Sequence, residues 1–347
     1  MAKIRSLGPR ELKQVLSLLS RFSQDAPATH TLKRLQSLYL PLHTVNHLLP
    51  LPMKFLPEVY VAVEDNAVLS LIWLTQDGSR KDCWRIDEII INPETDSSLG
   101  VTKQLVQYCL SHLGAKGVET FLAYIDIHSP EAISLLKECG FRRCTRMTTW
   151  HYEPKENEAN DEAERQLKSM GLREASGWDI KLLQSFYEDS LPPEIRVSLR
   201  RMPEELHPSL NVRMMNRARG VFHKAWVIPH SSQQYLLAYL AISSHNFKDY
   251  RVHLIASPGY DSELKVFLDF AQNQILKNGS RVAITTESYE FQKAWQALLE
   301  SSEYELGLQT EILVKDVFTP LSQQPENLTS PILLFGGQGG RTSPARG

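Results

Sequence analysis

The chain has 347 residues, 42% of them hydrophobic, which is enough for two domains with full cores. A net charge of −2 without long blocks of one sign leaves no electrostatic footprint for nucleic acid. No apolar run approaches transmembrane length, the N-terminus lacks an apolar signal core, and Cys83, Cys109, Cys139 and Cys144 have neither metal nor redox spacing. A cytoplasmic protein is expected, with reduced core thiols and with no metal, membrane or nucleic-acid partner.

The first expected elements are a strand at Arg5, a helix from Glu11 to Phe22, and a hairpin of Val59 to Val63 with Leu69 to Leu74 about Asp65-Asn66. Ile86 to Ile91 is a β-rich run stopped at Asn92-Pro93, where proline removes a ladder donor. Ser97, Ser98 and Gly100 then precede a helix whose Val101, Leu105, Val106, Cys109, Leu110 and Leu113 recur at three- and four-residue spacing. The first amides of that helix, across Ser98, Leu99, Gly100, Val101 and Thr102, lack intrahelical acceptors. With the helix dipole they form a potential phosphate site, although serines at this point also serve simply as caps.

Val118 to Ile127 is apolar on both faces, as a central covered strand should be. Ser129-Pro130-Glu131 opens the next helix with a capping serine, a proline at the first helical position and an acid in the first turn. Gly140 suits the left-handed position beyond its end, and Phe141 then enters the core. The run from Glu153 to Glu164 is polar and acidic and reads as a linker.

The chain also resembles itself. Ile4 to Lys13 aligns with Leu172 to Lys181, sharing Arg5 with Arg173, the acids Glu11 and Asp179, and the lysine. A second series follows: a hairpin of Trp226 to Ile228 with Tyr235 to Ile242, a strand from Tyr250 to Ala256, a helix through Leu264 and Ile275, a strand from Val282 to Thr286, a helix striped by Trp295 and Leu299, and a closing strand at Ile312 to Val314. Its turn, Ser257 to Glu263, carries one glycine and two acids, and like charge opposes a phosphate there. The clusters Arg196, Arg200, Arg201 and Arg213, Arg217, Arg219 are interspersed with Glu194, Glu204 and Glu205 and read as a solvated helical face. Beyond Pro320 the chain turns to Ser, Gln, Pro and Gly. The run Gly336 to Gly340 has no following helix and is not a dinucleotide loop.

Residues Ile86 to Phe141 resemble the cofactor-binding core of the GNAT superfamily, the acyl-CoA-dependent N-acyltransferases. The resemblance rests on the β-run ending at Asn92-Pro93, on Gly100 to Val106 against the family's Gly-x-Gly/Ala pattern, and on Leu136 to Phe141. It implies an α/β (α+β) fold of two tandem GNAT-like domains, each a mixed, mostly antiparallel central sheet flanked by helices. Their expected limits are 1–153 with the candidate acyl-CoA site, an acidic linker at 154–168, a degenerate second domain at 169–320 and a flexible tail at 321–347.

The family's chemistry implies acetyl-CoA or another acyl-CoA as cosubstrate and a small-molecule or protein amine as acceptor, in a monomer or homodimer. Ile89, Ile90 and Ile91 would face the pantetheine arm, residues 98–102 the pyrophosphate, and Ser129 the cofactor at a position usually held by asparagine. Glu88 is the carboxylate named as general base, with His128 the alternative base and Tyr124 a possible acid. Ser97 stands where the family usually has Arg or Gln, and Leu136 where it often has a proton-donating tyrosine. Two readings remain open: an N-acyltransferase working by direct attack in a ternary complex, and a catalytically inactive GNAT-like ligand-binding or protein-interaction protein.

Overall fold

The computed structural model describes residues 2–8, 11–12, 14–17, 57–65, 67–92, 98–154, 161–232, 234–277 and 282–317. Pro93, Ser97, Asn66, the expected acceptor wall between Phe22 and Phe55, and the tail with Gly336 lie outside these residues, as does the side chain of Ser98.

The strands of the first half are β1 (Lys3–Ser6), β2 (Glu58–Glu64), β3 (Ala67–Gln76), β4 (Cys83–Ile91), β5 (Thr120–Asp126) and β6 (Arg142–Tyr152). Those of the second are β7 (Arg173–Glu174), β8 (Phe222–Pro229), β9 (Leu236–Ser244), β10 (Asp249–Ala256), β11 (Ala283–Tyr289) and β12 (Glu305–Asp316). Each half makes antiparallel hairpins and then one parallel pair, β4 with β5 and β10 with β11. The β2–β3 hairpin turns at Asp65, whose φ of 50° is the left-handed geometry that a short hairpin loop needs.

The halves do not form separate sheets. The strands of the described residues form one 12-stranded sheet in the order β1-β2-β3-β4-β5-β12-β6-β11-β10-β9-β8-β7. The closing strand expected for the second half, β12, lies between β5 and β6 of the first, and β6 lies between β12 and β11 of the second. Each half thus gives its last strand to the edge of the other's parallel pair.

Side-chain alternation explains how this exchange is held. On one face Leu313 of β12 joins the first-half core, packed under α1 (Ser98–Gly114) and α2 (Pro130–Glu138). On the same face Trp150 of β6 enters the second-half core with α3 (Glu162–Ser169), α8 (Leu264–Leu276) and α9 (Lys293–Ser301), and its indole Nε1 donates to Ser288 Oγ at 2.8 Å. On the opposite face Ile312 and Val314 join a core shared by Cys83 and Leu122 of one half with Tyr187, Leu199 and Tyr239 of the other. That face carries α4 (Ile180–Ser190), α5 (Pro193–Arg196) and α6 (Pro203–Leu206), which α7 (Leu210–Ala218) follows in the chain.

The acidic stretch is not all linker, because Glu162–Ser169 is the helix α3, with Ala163 and Leu167 buried. Its acids face water and lysine, Glu164 binding Lys277 at 2.8 Å, while the two apolar residues pack inward. Gly140 has φ 86° and Phe141 N donates to Leu136 O at 3.1 Å, closing α2 as expected. Among the described residues no helix is long and apolar enough to cross a membrane. The four cysteines are free, and Cys83, Cys109 and Cys139 are buried.

The internal repeat has a physical basis. Arg5 pairs with Glu11, whose other oxygen accepts from Gly8 N at 3.1 Å; Arg173 grips Asp179 with two bonds of 2.7 and 2.8 Å. In both halves an arginine on the first strand fixes the start of the first helix. Burial alone would raise the Asp179 carboxyl, but Arg173 and the N–H and O–H of Ser176 outweigh it and hold the pKa at about 2. A carboxyl depressed below its unfolded value of ~3.9 contributes stability above that pH and loses it as pH falls toward 2. Asp179→Asn is therefore expected to cost on the order of 2 kcal/mol at pH 7 and to flatten the acid limb of a urea-stability profile between about pH 4 and 2. An unchanged acid limb in this variant would contradict the assignment.

Candidate active site

The register of β4 creates the opening. Trp73 faces Glu88 but Leu74 faces Ile86, so Asp87 is an extra residue, a β-bulge that bends the strand. Parallel pairing with β5 runs from Cys83↔Thr120 to Ile86↔Ala123 and stops there. Beyond it β4 continues to Ile91 against β3, and β5 continues to Asp126 against β12. The two strands diverge, as an acyl-pantetheine slot between them requires. The expected sequence pattern did not include the bulge, although two acids followed by three isoleucines break the alternation of a regular strand.

The resulting cleft has a volume of ≈ 620 Å³ and is lined by Glu88, Ile89, Ile90 and Ile91 on one side and by Tyr124, Asp126, His128 and Ser129 on the other. Ser129 makes no side-chain cap bond; its N–H donates to Asp126 O at 2.9 Å. An adjoining cavity of ≈ 270 Å³ lies at the start of α1, between Leu99, Gly100 and Lys103 on one side and Leu135 and Glu138 on the other. Glu131 borders both spaces, so the cavity at the helix N-terminus adjoins the cleft between the parted strands.

The donor set there fits a phosphorylated ligand in part. The first turn of α1 holds no acid, and a Cβ at Gly100 would meet nothing within 4 Å, leaving the helix end open. Lys103, which the sequence pattern did not single out, is the cation at this cavity and binds Glu138 at 3.0 Å. Thr102 is fully buried and Val101 packs on the core, so of residues 99–102 Leu99 and Gly100 line the cavity.

Glu88 lies opposite Trp73 on the face of the sheet away from α1, with its Oε2 buried. Asp87 beside it is committed elsewhere, accepting from Arg85 Nε at 2.5 Å and Thr75 Oγ1 at 2.7 Å. Tyr124 forms the facing wall on that same side, its ring 5.6 Å below the Arg85 guanidinium. Burial pushes its phenol up, so it stays protonated. Leu136 is fully buried in the first-half core and cannot reach the cleft.

The second half parts its strands too, since β10 and β11 pair only from Asp249↔Ala283 to Val252↔Thr286. The space beyond is filled. Ile255 and Tyr289 are buried in the shared core, Phe291 stacks on Tyr289 at 5.4 Å, and His253 packs between Tyr239 and Tyr187. Burial drives the His253 imidazole to its neutral form. The turn after β10 carries Asp261 and Glu263, as its sequence indicates.

The sequence profile of the Acetyltransferase (GNAT) family matches residues 32–141. No curated protein sequence matches the chain. Among solved structures, a tandem GNAT protein from the clavulanic acid biosynthesis pathway, determined without AcCoA, aligns over 92% of this chain and 99% of its own at 12% identity and a TM-score of 0.50. A GCN5-related N-acetyltransferase from Sphaerobacter thermophilus aligns over 91% and 95% at 13% identity, with a TM-score of 0.56. The GCN5-related glucosamine N-acetyltransferase region of a fungal multi-domain GH3 β-N-acetylglucosaminidase covers 91% of this chain and 38% of that one, at 10% identity and a TM-score of 0.57. At these identities the likeness is one of fold.

Proposed function

We propose that this chain, a tandem protein of the GNAT superfamily, is an N-acyltransferase with one working site, in its first half. The observation that carries this reading is the parting of β4 and β5 at the Asp87 bulge, which opens residues 87–91 toward a cleft beside the cavity at a helix N-terminus.

Acyl-CoA would supply the activated thioester. The backbone of Ile89 to Ile91 is placed to hold the pantetheine arm as a further strand would be held, with an amide near Ile90 donating to the thioester oxygen as negative charge builds there. Glu88 takes the proton from the acceptor ammonium, directly or through water, and the free amine attacks the carbonyl carbon. The N–C bond forms, the C–S bond breaks, and the thiolate leaves. Tyr124, protonated and across the cleft, would pass a proton to sulfur in place of the absent tyrosine at Leu136 and recover one from the nitrogen, which sheds its second proton as the amide forms.

The second reading, a ligand-binding or protein-interaction protein without transfer, is favoured by the burial of Leu136 and, in the sequence, by Ser97 and the acidic turn of the second half. Calorimetric titration with acetyl-CoA and longer acyl-CoAs, run beside a free-thiol release assay, separates the two. Binding with amine-dependent thiol release is expected. Binding without release across a broad amine panel would favour the second reading, and no binding at millimolar acyl-CoA would remove the first.

A further inference from the structure

A separate cavity of ≈ 250 Å³ lies in the second half, where α4 packs over β9 and β10, and it shares no lining residue with the cleft of the first half. Its place follows from how the strands end. Ser257 N donates to Leu237 O at 2.8 Å and closes β10 before Pro258, just as Asn92 N donates to Leu69 O at 2.8 Å where β4 stops. The mouth between β10 and β11 is filled by Tyr289 and Phe291, whereas on the β9 side Ser185, Ser190, Ala256 and Ser257 are small and leave space.

The floor of this cavity is apolar. Leu236 is buried, and Leu182 and Phe186 of α4 pack against the core that both halves share. Tyr235 stands at the rim, 49% exposed, its ring stacked on His230 at 4.1 Å. The turn fixes that stack, because His230 N donates to Tyr235 O at 2.9 Å and Ser232 N donates to His230 Nδ1 at 3.2 Å. An aromatic wall held in this way loses little freedom when a ligand meets it.

Charge narrows the ligand. Asp189 is the one charged side chain in the lining, and no lysine, arginine or histidine lines the space. Arg196 stands 3.6 Å from Asp189, within ion-pair range but beyond a hydrogen bond, and donates instead to Leu191 O at 3.3 Å. Asp189, 71% exposed, keeps its accepting capacity at the rim. A ligand cation meets this carboxylate and two aromatic rings; an anion meets the carboxylate alone. Size sets the rest, since a dry cavity of ~150 Å³ admits a benzene ring. The larger volume here has room for a ring with a short chain.

We propose that the second half binds a small arylalkylamine in this cavity, its ring on the floor by Phe186 and Leu236 and its ammonium at Asp189. The site is independent of the acyltransferase reading. With the neighbouring strand mouth filled, an amine bound there meets no acyl slot, so it is a ligand and not a second acceptor. Because the floor belongs to the shared core, occupancy stabilises the fold of both halves.

The test titrates the full chain, without acyl-CoA, with 2-phenylethylamine, 2-phenylethanol and 3-phenylpropionate, followed by ligand-observed NMR up to millimolar probe and by melting temperature. The amine should bind roughly 2- to 5-fold more tightly than the alcohol, the range for an ion pair at an exposed rim, with the acid weakest. It should also raise the melting temperature, and its advantage should shrink at high salt. Asp189→Asn should bring the amine to the affinity of the alcohol. Ser185→Trp, at an exposed position, should fill the cavity and abolish binding of all three. Glu88→Gln should bind the amine as the wild type does; loss of binding there would place the amine in the first-half cleft and overturn the proposal. No binding of the amine, equal affinity for amine and alcohol, a preference that survives in Asp189→Asn, or binding that survives in Ser185→Trp would overturn it as well.

Discussion

A chain lacking Glu305–Asp316 is expected to lose acetyl-CoA binding and cooperative folding in both halves, although the deletion lies far in sequence from the cleft. β12 pairs with β5 from Thr310↔Asp126 to Asp316↔Thr120, so the strand that forms one wall of the cleft has no other neighbour along its Tyr124 to Asp126 edge. The deletion also removes Ile312, Leu313 and Val314, all fully buried. At ~1.5–3 kcal/mol per buried aliphatic side chain, these three alone approach the ~5–15 kcal/mol by which a domain is stable. It further exposes the edges of β5 and β6, which invites aggregation. Circular dichroism melts, size exclusion and acetyl-CoA calorimetry on the deletion and on a fragment of residues 1–154 would measure this. A fragment that folds cooperatively and binds acetyl-CoA as the full chain does would show that the strand exchange is dispensable.

The second large effect is expected at Glu88. Glu88→Gln keeps the shape and hydrogen-bonding capacity of the side chain but removes the base, so kcat should fall by roughly 10²–10⁴ with the acetyl-CoA Kd nearly unchanged. Parallel loss of turnover and of acetyl-CoA affinity would instead make Glu88 a support of the bulge. Asp87 is a useful contrast, because its bonds to Arg85 and Thr75 tie it to the architecture of the bulge.

Much of this site was legible residue by residue. The run Ile86 to Ile91, the glycine after Ser98, the serine and proline at 129 and 130 and the left-handed Gly140 are local signals, because turn chemistry and helix ends are decided by a few neighbouring residues. The self-alignment was legible for the same reason, since Arg5 with Glu11 and Arg173 with Asp179 act within a single strand-to-helix unit. The β-bulge left only a broken alternation, and Thr102 read as a potential phosphate contact although its side chain is buried under the helix. Which face of a helix packs against a sheet is set by the partner as well as by the period.

The sequence by itself determined the two-fold repetition, the order of strands and helices in each half and the acidic character of the second half's turn, because these follow from periodicity and local charge. Only the tertiary structure decided that the halves exchange their last strands and that the second mouth is filled by Tyr289 and Phe291. These depend on which strand edges and apolar faces meet across more than a hundred residues of chain. Local pattern carries no information about such pairings, because a closing strand such as Glu305–Asp316 offers the same alternating side chains to its own half as to the other.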